Sequence, residues 1–415
     1  GVEEEGCAKA CVCSTVCSCL QFCDLHDWAK VNSTALVVVQ RYVGEFPSDI
    51  KALFASCFRR FLLFGCHDVK PLDSVTQKRL GVYVNPVPMF QFDMSKIGYY
   101  LGELVGNPLS ELPEECSLPA GFGRLNPAVC KIPDGRIFYC GGKYTAASTS
   151  ERITNSDMLR ATSIRTAIFD PRTLTWQHLP DMPEARVNAS ACHIGGCVLL
   201  LGGEDRESVA NSFRTRAVLC YSLQDGRWLT AEEHGIPEVP GRAREGSATC
   251  QLDEDTVIIA GGETEGDFGP YGETTAPICE VYALNYPQRT WSRLVDIDEG
   301  GSSSGGYILS DGRFSHFSGS SFQALTFGFE DEPRWEALPQ PAEATSCCTC
   351  NSITGIGDIG IALGVSILRP VQVYFERTRS WRCITVEHPK GLAFLALVND
   401  HAFCVGQARK KKNSL

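Results

Sequence analysis

Residues 185–232 read ARVNASACHIGGCVLLLGGEDRESVANSFRTRAVLCYSLQDGRWLTAE, and this stretch predicts one small antiparallel sheet. Two apolar runs, at 198–201 and 217–221, are separated by a polar insertion that begins directly after Gly202 and Gly203. Apolar runs of this length between glycine-rich turns are typical of strands rather than helices. We therefore expect four short strands in succession, joined by tight turns.

The glycine pair and the tryptophan of this unit recur along the chain. The glycine pairs are Gly141, Gly142, Gly202, Gly203, Gly261 and Gly262, and the tryptophans are Trp176, Trp228, Trp291, Trp335 and Trp381. Successive tryptophans are 52, 63, 44 and 46 residues apart. A strand that ends in Gly-Gly must turn at positive φ or admit another backbone, which glycine allows at low cost. The indole is suited to packing between neighbouring sheets.

An aromatic residue precedes each of the first three tryptophans. Phe169 and Tyr221 stand seven residues before their tryptophans, and Tyr282 stands nine before Trp291. Two less regular copies of the unit follow, at 312–335 and 359–381, without a complete glycine pair. The sequence therefore predicts five whole units.

The unit is similar to the kelch repeat, whose period is about 50 residues, and the resemblance covers about residues 121–407. It implies an all-β fold, a kelch-type β-propeller with blades of four antiparallel strands. Five whole units and one unit shared between the two ends of the repeat region make six blades. Residues 87–101 resemble the second half of a unit, with Tyr99 in the place of the tryptophan, and 391–406 resemble a first half. Pairing of these two ends would close the ring and hide its edges.

Composition limits the classes of function. The chain has 415 residues, 43% of them hydrophobic and 21% charged, and a net charge of −11, which disfavours a general nucleic-acid binder. No apolar run approaches the roughly 20 residues of a membrane span. The 21 cysteines are odd in number, and no secretory signal is visible. We expect a reducing compartment, the cytoplasm, with the nucleus as the alternative.

The first residues are rich in cysteine. Their spacing is C-x3-C-x-C-x3-C-x-C-x3-C, and the residues are Cys7, Cys11, Cys13, Cys17, Cys19 and Cys23. Zinc sites usually combine two separated cysteine pairs, and the second pair is missing here. Three interpretations stay open: a disordered thiol-rich leader, an acylated leader that touches a membrane, and a metal cluster.

Residues 32–65 predict two short helices separated by Pro47. On the second, one helical face carries Ile50, Leu53, Phe54, Cys57, Phe58 and Phe61. The segment resembles an F-box, a family that docks onto an adaptor of cullin-RING ubiquitin ligases. The resemblance implies adaptor contacts by Val37, Tyr42, Val43, Ile50 and Leu53. It lacks the usual Leu-Pro opening, and the alternative is a helical hairpin packed against the propeller.

The predicted organisation has five parts. They are a disordered cysteine-rich leader at 1–31, the F-box-like segment at 32–65, a linker at 66–85, the propeller at 86–407 and a basic tail at 408–415.

The longest insertions follow the glycine pairs, at 143–165, 204–216 and 263–278. In a four-stranded meander these connections and the connections between blades emerge on the same side. The first insertion is rich in basic residues and the third in acidic ones, which suits an extended peptide of mixed charge. The arginines expected to bind this partner are Arg165, Arg186, Arg216, Arg242 and Arg244. The alternative is that these are solvated loop charges.

No catalytic, metal-binding or cofactor-binding motif stands out. The eight histidines are scattered, and the glycine-rich residues 300–306 lack the Lys-Ser/Thr of a phosphate-binding loop. We therefore predict a non-enzymatic protein-interaction module without cofactor, metal, nucleic acid or membrane span. The favoured version is a substrate-recognition subunit of a cullin-RING ubiquitin ligase. The alternatives are a kelch scaffold or cytoskeletal adaptor and a propeller enzyme.

Overall fold

The computed structural model describes residues 60–63, 89–93, 97–100, 103–106, 109–111, 116, 118–119, 122, 126–142, 162–171, 173–208, 211–269, 272–300, 304–318, 321–327, 333–340, 353–356, 359–362, 371–384, 396–398 and 401–405. These residues are almost entirely strands and turns. The predicted leader, linker and basic tail, and residues 32–59 and 64–65 of the F-box-like segment, lie outside the described residues.

Five short strands come first along the chain. They are β1 (Arg60–Leu63), β2 (Met89–Asp93), β3 (Ile97–Tyr100), β4 (Glu103–Gly106) and β5 (Leu109–Glu111).

Five successive antiparallel meanders of four strands follow, here called blades 1 to 5; the first four are separate sheets, and β4 and β3 extend the fifth to six strands. Blade 1 contains β6 (Ala128–Lys131), β7 (Ile137–Cys140), β8 (Thr166–Asp170) and β9 (Thr175–Leu179). Blade 2 and its inserted hairpin contain β10 (Ser190–Ile194), β11 (Cys197–Leu201), β12 (Glu204–Ser208), β13 (Asn211–Arg214), β14 (Val218–Ser222) and β15 (Arg227–Leu229). A one-turn helix, α1 (Ala231–His234), leads to the next blade.

Blade 3 and its inserted hairpin contain β16 (Ala248–Gln251), β17 (Thr256–Ala260), β18 (Glu263–Gly269), β19 (Gly272–Pro277), β20 (Val281–Asn285) and β21 (Thr290–Arg293). Blade 4 contains β22 (Gly305–Ile308), β23 (Phe314–Ser318), β24 (Ser321–Thr326) and β25 (Arg334–Ala337). Blade 5 contains β26 (Ile353–Ile356), β27 (Ile359–Ala362), β28 (Val371–Phe375) and β29 (Ser380–Ile384). The last strands are β30 (Ala396–Val398) and β31 (His401–Val405).

Each blade is a meander in which the strands pair in chain order and the first strand is innermost. The inner strands β6, β10, β16, β22, β26 and β30 contact one another in that order, and β30 returns to β6. The second and third strands are buried on both faces, as β11 and β14 are at every position. Continuous apolar runs at these strands are therefore explained by burial between two neighbouring blades. The fold is an all-β, kelch-type β-propeller, as the sequence predicts.

The first two and the last two described strands share a sheet. β30 pairs with β31, and β2 pairs with β31 through Met89 and Val405. The prediction that residues 88–93 lie beside 401–406 is confirmed. The number of six blades stays a prediction, because this terminal sheet differs from the other five by having β5 as an additional partner of β2.

Two predictions for residues close to this terminal sheet are wrong, one from the F-box-like segment and one from the half-unit at 87–101. Phe61, predicted on a helical face, lies in β1 and pairs with Phe92 of β2. The periodicity of a short apolar run does not separate a strand from a buried helix. Tyr99, predicted at a tryptophan position beside β2, pairs instead with Leu104 of β4, and β4 joins the outer edge of blade 5.

The glycine pairs are needed for both of the predicted reasons. Gly202 and Gly203 have φ of 64° and 94°. A Cβ on Gly202 would also lie 2.5 Å from the Arg244 carbonyl oxygen, at the entry to blade 3. The amide of Gly203 donates to that same carbonyl at 2.8 Å. Each glycine pair therefore joins its blade to the next one.

The tryptophans lie between blades, as predicted, and they are half-buried. Trp228 packs against residues of blades 1 and 2, and its indole is 6.1 Å from the ring of Phe138. Each indole N–H donates to a carbonyl of the preceding connection. The acceptors are Cys116 for Trp176, Pro180 for Trp228, Pro237 for Trp291, Val295 for Trp335 and Pro339 for Trp381.

The register of blade 3 differs from the sequence alignment of the units. Tyr221 pairs with Trp228 in blade 2, and Leu284, not Tyr282, pairs with Trp291 in blade 3. The seven-residue spacing is therefore the same in both blades, and a leucine takes the aromatic position in the third. Within the described part of the chain, no helix is long and apolar enough to cross a membrane.

Candidate partner-binding face

The connections from the second to the third strand and the connections between blades lie on one side of the ring, here called the insertion face. In blade 2 this connection is the β12–β13 hairpin, and in blade 3 it is the β18–β19 hairpin. Residues 143–161 of the first insertion lie outside the described residues. The face therefore carries two two-stranded extensions that no other side of the described structure has.

The three insertions are anchored in the same way. Near the end of each insertion, a backbone amide donates to the carbonyl of the second glycine of the pair. The donors are Ser163 to Gly142 at 2.8 Å, Thr215 to Gly203 at 2.9 Å and Ile278 to Gly262 at 2.9 Å. Isolated bridges fix the other side of each hairpin base, between Val187 and Glu204 and between Glu245 and Glu263. A rigid blade thus fixes where each hairpin leaves the ring.

Arg214 links the two hairpins to the ring. Its Nε donates to Glu245 Oε1 at 2.9 Å, and its backbone amide donates to Glu265 Oε1 of β18 at 3.0 Å. Glu245 Oε2 accepts a hydrogen bond from the Asn188 side chain at 3.2 Å. Arg214 and Glu245 side chains are only 12% and 10% exposed, so this ion pair is partly shielded from solvent.

Carboxylates collect around this ion pair. The pKa of Glu263 is raised, first by burial and then by the nearby charges of Glu245 and Glu204. The Thr275 hydroxyl and the Arg214 guanidinium oppose this rise. The base of the two hairpins is therefore an acidic region with Arg214 at its centre.

Two of the five predicted arginines are buried. Arg244 has a fully buried guanidinium that contacts the Glu280 carboxylate at 2.7 Å and the Glu280 carbonyl at 3.2 Å. It also lies 5.4 Å from the Tyr282 ring. Arg186, 2% exposed, pairs with Glu184 and with the Ala185 carbonyl. Neither side chain is accessible to a partner. Both instead stabilise the connections between blades.

The other three arginines are exposed on the insertion face. Arg165 pairs with Asp181 at 2.9 Å, and Arg216 pairs with Glu238 at 2.6 Å. Arg242 is exposed, and its backbone amide donates to Glu280 at 3.2 Å. Exposed ion pairs of this kind contribute roughly 0–1 kcal/mol, so a partner carboxylate can replace the internal one at low cost. Partner binding by these three side chains stays a prediction.

Exposed apolar side chains also gather on this face. Phe213 of the blade 2 hairpin is 63% exposed, Ile164 is 40% exposed and Val295 is 38% exposed. Of the described large apolar residues that are exposed, only Phe327 lies at the opposite side, at 49%. A protruding aromatic beside arginines is the usual composition of a binding hot spot.

Phe213 and Arg214 were not singled out by the sequence. The alternation of NSFR in residues 211–214 was the available signal, since it indicates a strand whose neighbouring side chains point to opposite sides. The turns on the opposite side of the ring, such as residues 224–226, are short. Arg227 there is engaged with Glu233 at 2.8 Å, and Arg172 lies outside the described residues.

The described residues contain no group of three or more His, Cys, Asp or Glu side chains that could hold a metal ion. The absence of metal, cofactor and catalytic activity stays a prediction.

Comparison with known proteins agrees with the repeat. The chain is similar to a kelch-like protein of Aspergillus terreus, 26% identical over 188 residues that cover 43% of this chain and 34% of that protein. It is also similar to an F-box/kelch-repeat protein of Arabidopsis thaliana, 24% identical over 237 residues that cover 52% of this chain and 49% of that protein. Kelch-like protein 34 of Homo sapiens is 27% identical over 158 residues, covering 38% and 22%.

The matches therefore span less than half the length of each of these relatives. The solved structure of YjhT covers 71% of this chain and 90% of its own, with 12% identity and a TM-score of 0.48. No protein-family model matches the chain. The sequence similarity to kelch-repeat proteins and the repeated four-stranded sheets together support a kelch-type β-propeller.

Proposed function

We propose that the chain is a non-enzymatic protein-interaction module whose insertion face binds a protein partner. The observation that carries the proposal is the protruding Phe213 of the blade 2 hairpin, exposed by 63% beside the anchored Arg214. Burying this ring on a partner would remove a large apolar surface from water. The hairpin base is held by Gly203, Val187 and Glu265, so the aromatic is presented on a fixed support.

The charges of the face favour a partner segment that carries carboxylates near an apolar anchor. The insertion face exposes three arginines, Arg165, Arg216 and Arg242. Arginine binds a carboxylate through two parallel hydrogen bonds, which gives direction as well as attraction. We expect an extended peptide with an apolar residue at Phe213 and acidic residues towards Arg216 and Arg242.

The test is a quantitative comparison of proteins captured by the parent chain, Phe213→Asp and Phe327→Asp. Phe327 is a matched control, because it is an exposed phenylalanine on the opposite side. Partners specific to the insertion face should be lost by at least about tenfold with Phe213→Asp, the scale of a 1.4 kcal/mol hot spot. They should be retained by Phe327→Asp. Equal capture by both variants, or loss with Phe327→Asp alone, would contradict the proposal.

A finer version adds ligase coupling, in which residues 32–65 act as an F-box and the propeller holds the substrate. Support comes from the F-box-like apolar spacing and from the similarity to an F-box/kelch-repeat protein. The scaffold alternative lacks this coupling.

The two versions are separated by binding to a purified cullin-RING adaptor. Because β1 contributes residues 60–63 to the terminal sheet, the deletion should remove only 32–59 and leave that strand intact. Tyr42→Asp is the matching point variant. Loss of adaptor binding with both variants supports ligase coupling, and retained binding excludes it in favour of the scaffold.

A further inference from the structure

Each blade ends in a fourth strand at the outer rim of the ring. These outer strands are β9, β15, β21, β25 and β29. The outer edge of β29 accepts β4 as a further, parallel strand, with Ile384 beside Leu104. In the described part of the chain, no further strand joins the outer edge of the other four. The rim of a blade can therefore accept an added strand, as blade 5 does.

Three of these four outer strands carry charges that oppose strand addition. β15 carries Arg227, β21 carries Arg293, and β25 carries Arg334 and Glu336. The one-turn helix α1 also contacts β15. Charged side chains and short lengths are the means by which proteins keep edge strands from pairing with other chains.

The outer strand of blade 1, β9, lacks these protections. Its five residues, Thr175–Leu179, make it the longest of the four, and none of them is Lys, Arg, Asp or Glu. β15 has three residues, and β21 and β25 have four each. The side chains of Thr175, Gln177 and His178 are exposed. An edge strand presents unpaired backbone N–H and C=O groups, so β9 is the rim that is best suited to accept another strand.

The side chains of β9 are complementary to those of a second copy of the same strand. In an antiparallel pair centred on Gln177, Trp176 faces His178 of the second copy, and Thr175 faces its Leu179. Residues directly opposite each other share a face of the sheet, so this pair contains two aromatic contacts and no facing charges. Aromatic cross-strand pairs stabilise a sheet, whereas facing like charges destabilise it.

The centre of this pair is an amide that faces its own copy. Gln177 Oε1 accepts a hydrogen bond from Arg136 Nη1 at 3.3 Å, and the Arg136 guanidinium also pairs with Asp134 at 2.7 Å. An amide oxygen has two lone pairs, and an amide NH2 group has two donors. Two Gln177 side chains can therefore bond to each other at the centre of the pair without leaving a charge uncompensated.

We propose that β9 is a dimerisation site, at which two copies of this chain pair antiparallel, centred on Gln177, and join two blades into one continuous sheet. β9 runs towards the insertion face, because the connection from β9 to β10 lies on that face. Antiparallel pairing therefore directs the two insertion faces to opposite sides of the dimer. Both faces stay accessible.

The test is sedimentation velocity of the full chain at about 1–200 μM, because one short strand forms a contact smaller than the roughly 1,200–2,000 Å² of a stable interface. We expect a reversible monomer–dimer equilibrium. Gln177→Lys and Gln177→Glu should each weaken the dimer by at least about tenfold, because each places like charges opposite each other at the centre. An equimolar mixture of the two variants should restore the dimer, since opposite charges then face each other.

Ser292→Lys is the matched control. Ser292 follows Trp291 on β21 as Gln177 follows Trp176 on β9, and it is exposed. This variant should dimerise like the parent. The proposal is overturned if the chain stays monomeric over this range, if Ser292→Lys weakens the dimer as much as Gln177→Lys, or if the mixture does not restore it. A monomer in which residues 175–179 exchange slowly with deuterium would assign this edge to another segment of the same chain and would also overturn it.

Discussion

At the residue scale, the glycines at the blade junctions are required by the atoms that they contact as well as by their backbone angles, and the arginines there are buried and held by ion pairs. Gly202 and Gly196 both have positive φ, yet only Gly202 faces another backbone at close range. The carbonyl it faces belongs to Arg244, whose fully buried guanidinium binds Glu280 in the same connection. The sequence predicts that glycine is required here. It does not predict that Arg244 is buried, because its burial depends on how neighbouring blades pack against each other.

Gly202→Ala and Gly196→Ala separate these two effects. Gly196→Ala should cost about 1 kcal/mol, because a left-handed conformation disfavours any Cβ and nothing lies within 4 Å of the new atom. Gly202→Ala should cost about 1–3 kcal/mol more, the scale of overpacking, since its Cβ would meet the Arg244 carbonyl oxygen at 2.5 Å. Urea unfolding of both variants measures the difference. Equal midpoints would mean that blades 2 and 3 do not meet at this carbonyl.

A second residue-scale prediction concerns His316 of blade 4, which is completely buried. Burial lowers its pKa from 6.5 to about 4, and neither ring nitrogen bonds to a described residue. Below pH 6.5 His316 becomes protonated in the unfolded chain but stays neutral in the folded chain. The free energy of unfolding therefore decreases as the pH is lowered from 6.5 to about 4.

The loss due to His316 should reach about 2 kcal/mol at pH 5 relative to pH 7.5. Unfolding free energies of the parent and His316→Gln at both pH values provide the measurement. The difference between parent and variant should depend on pH with this sign. A constant difference would show that His316 does not titrate as a buried neutral base.

At the element scale, the blade is predictable and its connections are not. Short continuous apolar runs and tryptophans predict the strands of blades 1 to 5, because the local pattern repeats under the same packing. Glycine pairs add to the prediction in blades 1 to 3. The β12–β13 and β18–β19 hairpins are polar, and their strand pairing is irregular. Their structure depends on contacts with residues distant in sequence, such as the hydrogen bond that Arg214 donates to Glu245. The exposure of Phe213 therefore results from the position of the hairpin and could not be predicted from the neighbouring sequence.

The tryptophan of blade 2 gives an element-scale prediction. Trp228 packs between blades 1 and 2, and its indole N–H donates to the Pro180 carbonyl at 3.0 Å. Trp228→Phe should cost about 1 kcal/mol for the hydrogen bond, and Trp228→Ala about 3 kcal/mol. Urea unfolding followed at more than one wavelength measures both. An alanine variant as stable as the parent would mean that Trp228 does not join the two blades.

At the scale of the whole molecule, the ends of the chain meet in one sheet and the ring has two unequal sides. The sequence predicts the meeting of 88–93 with 401–406, because both ends resemble incomplete units. It assigns Phe61 and Tyr99 wrongly, because short apolar runs carry no information on which distant strand they pair with. The inequality of the sides is visible in the lengths of the insertions, whereas the accessible arginines are known only from the structure.

The central claim, that the insertion face recognises a protein, is tested most directly by hydrogen–deuterium exchange of the chain with and without a captured partner. Bound partner should slow exchange in residues 211–216, 240–243 and 294–298, where Phe213, Arg216, Arg242 and Val295 are exposed. The turns at 223–226 and 286–289 on the opposite side should exchange as in the free chain. Protection confined to those turns, with unchanged exchange at 211–216, would contradict the account.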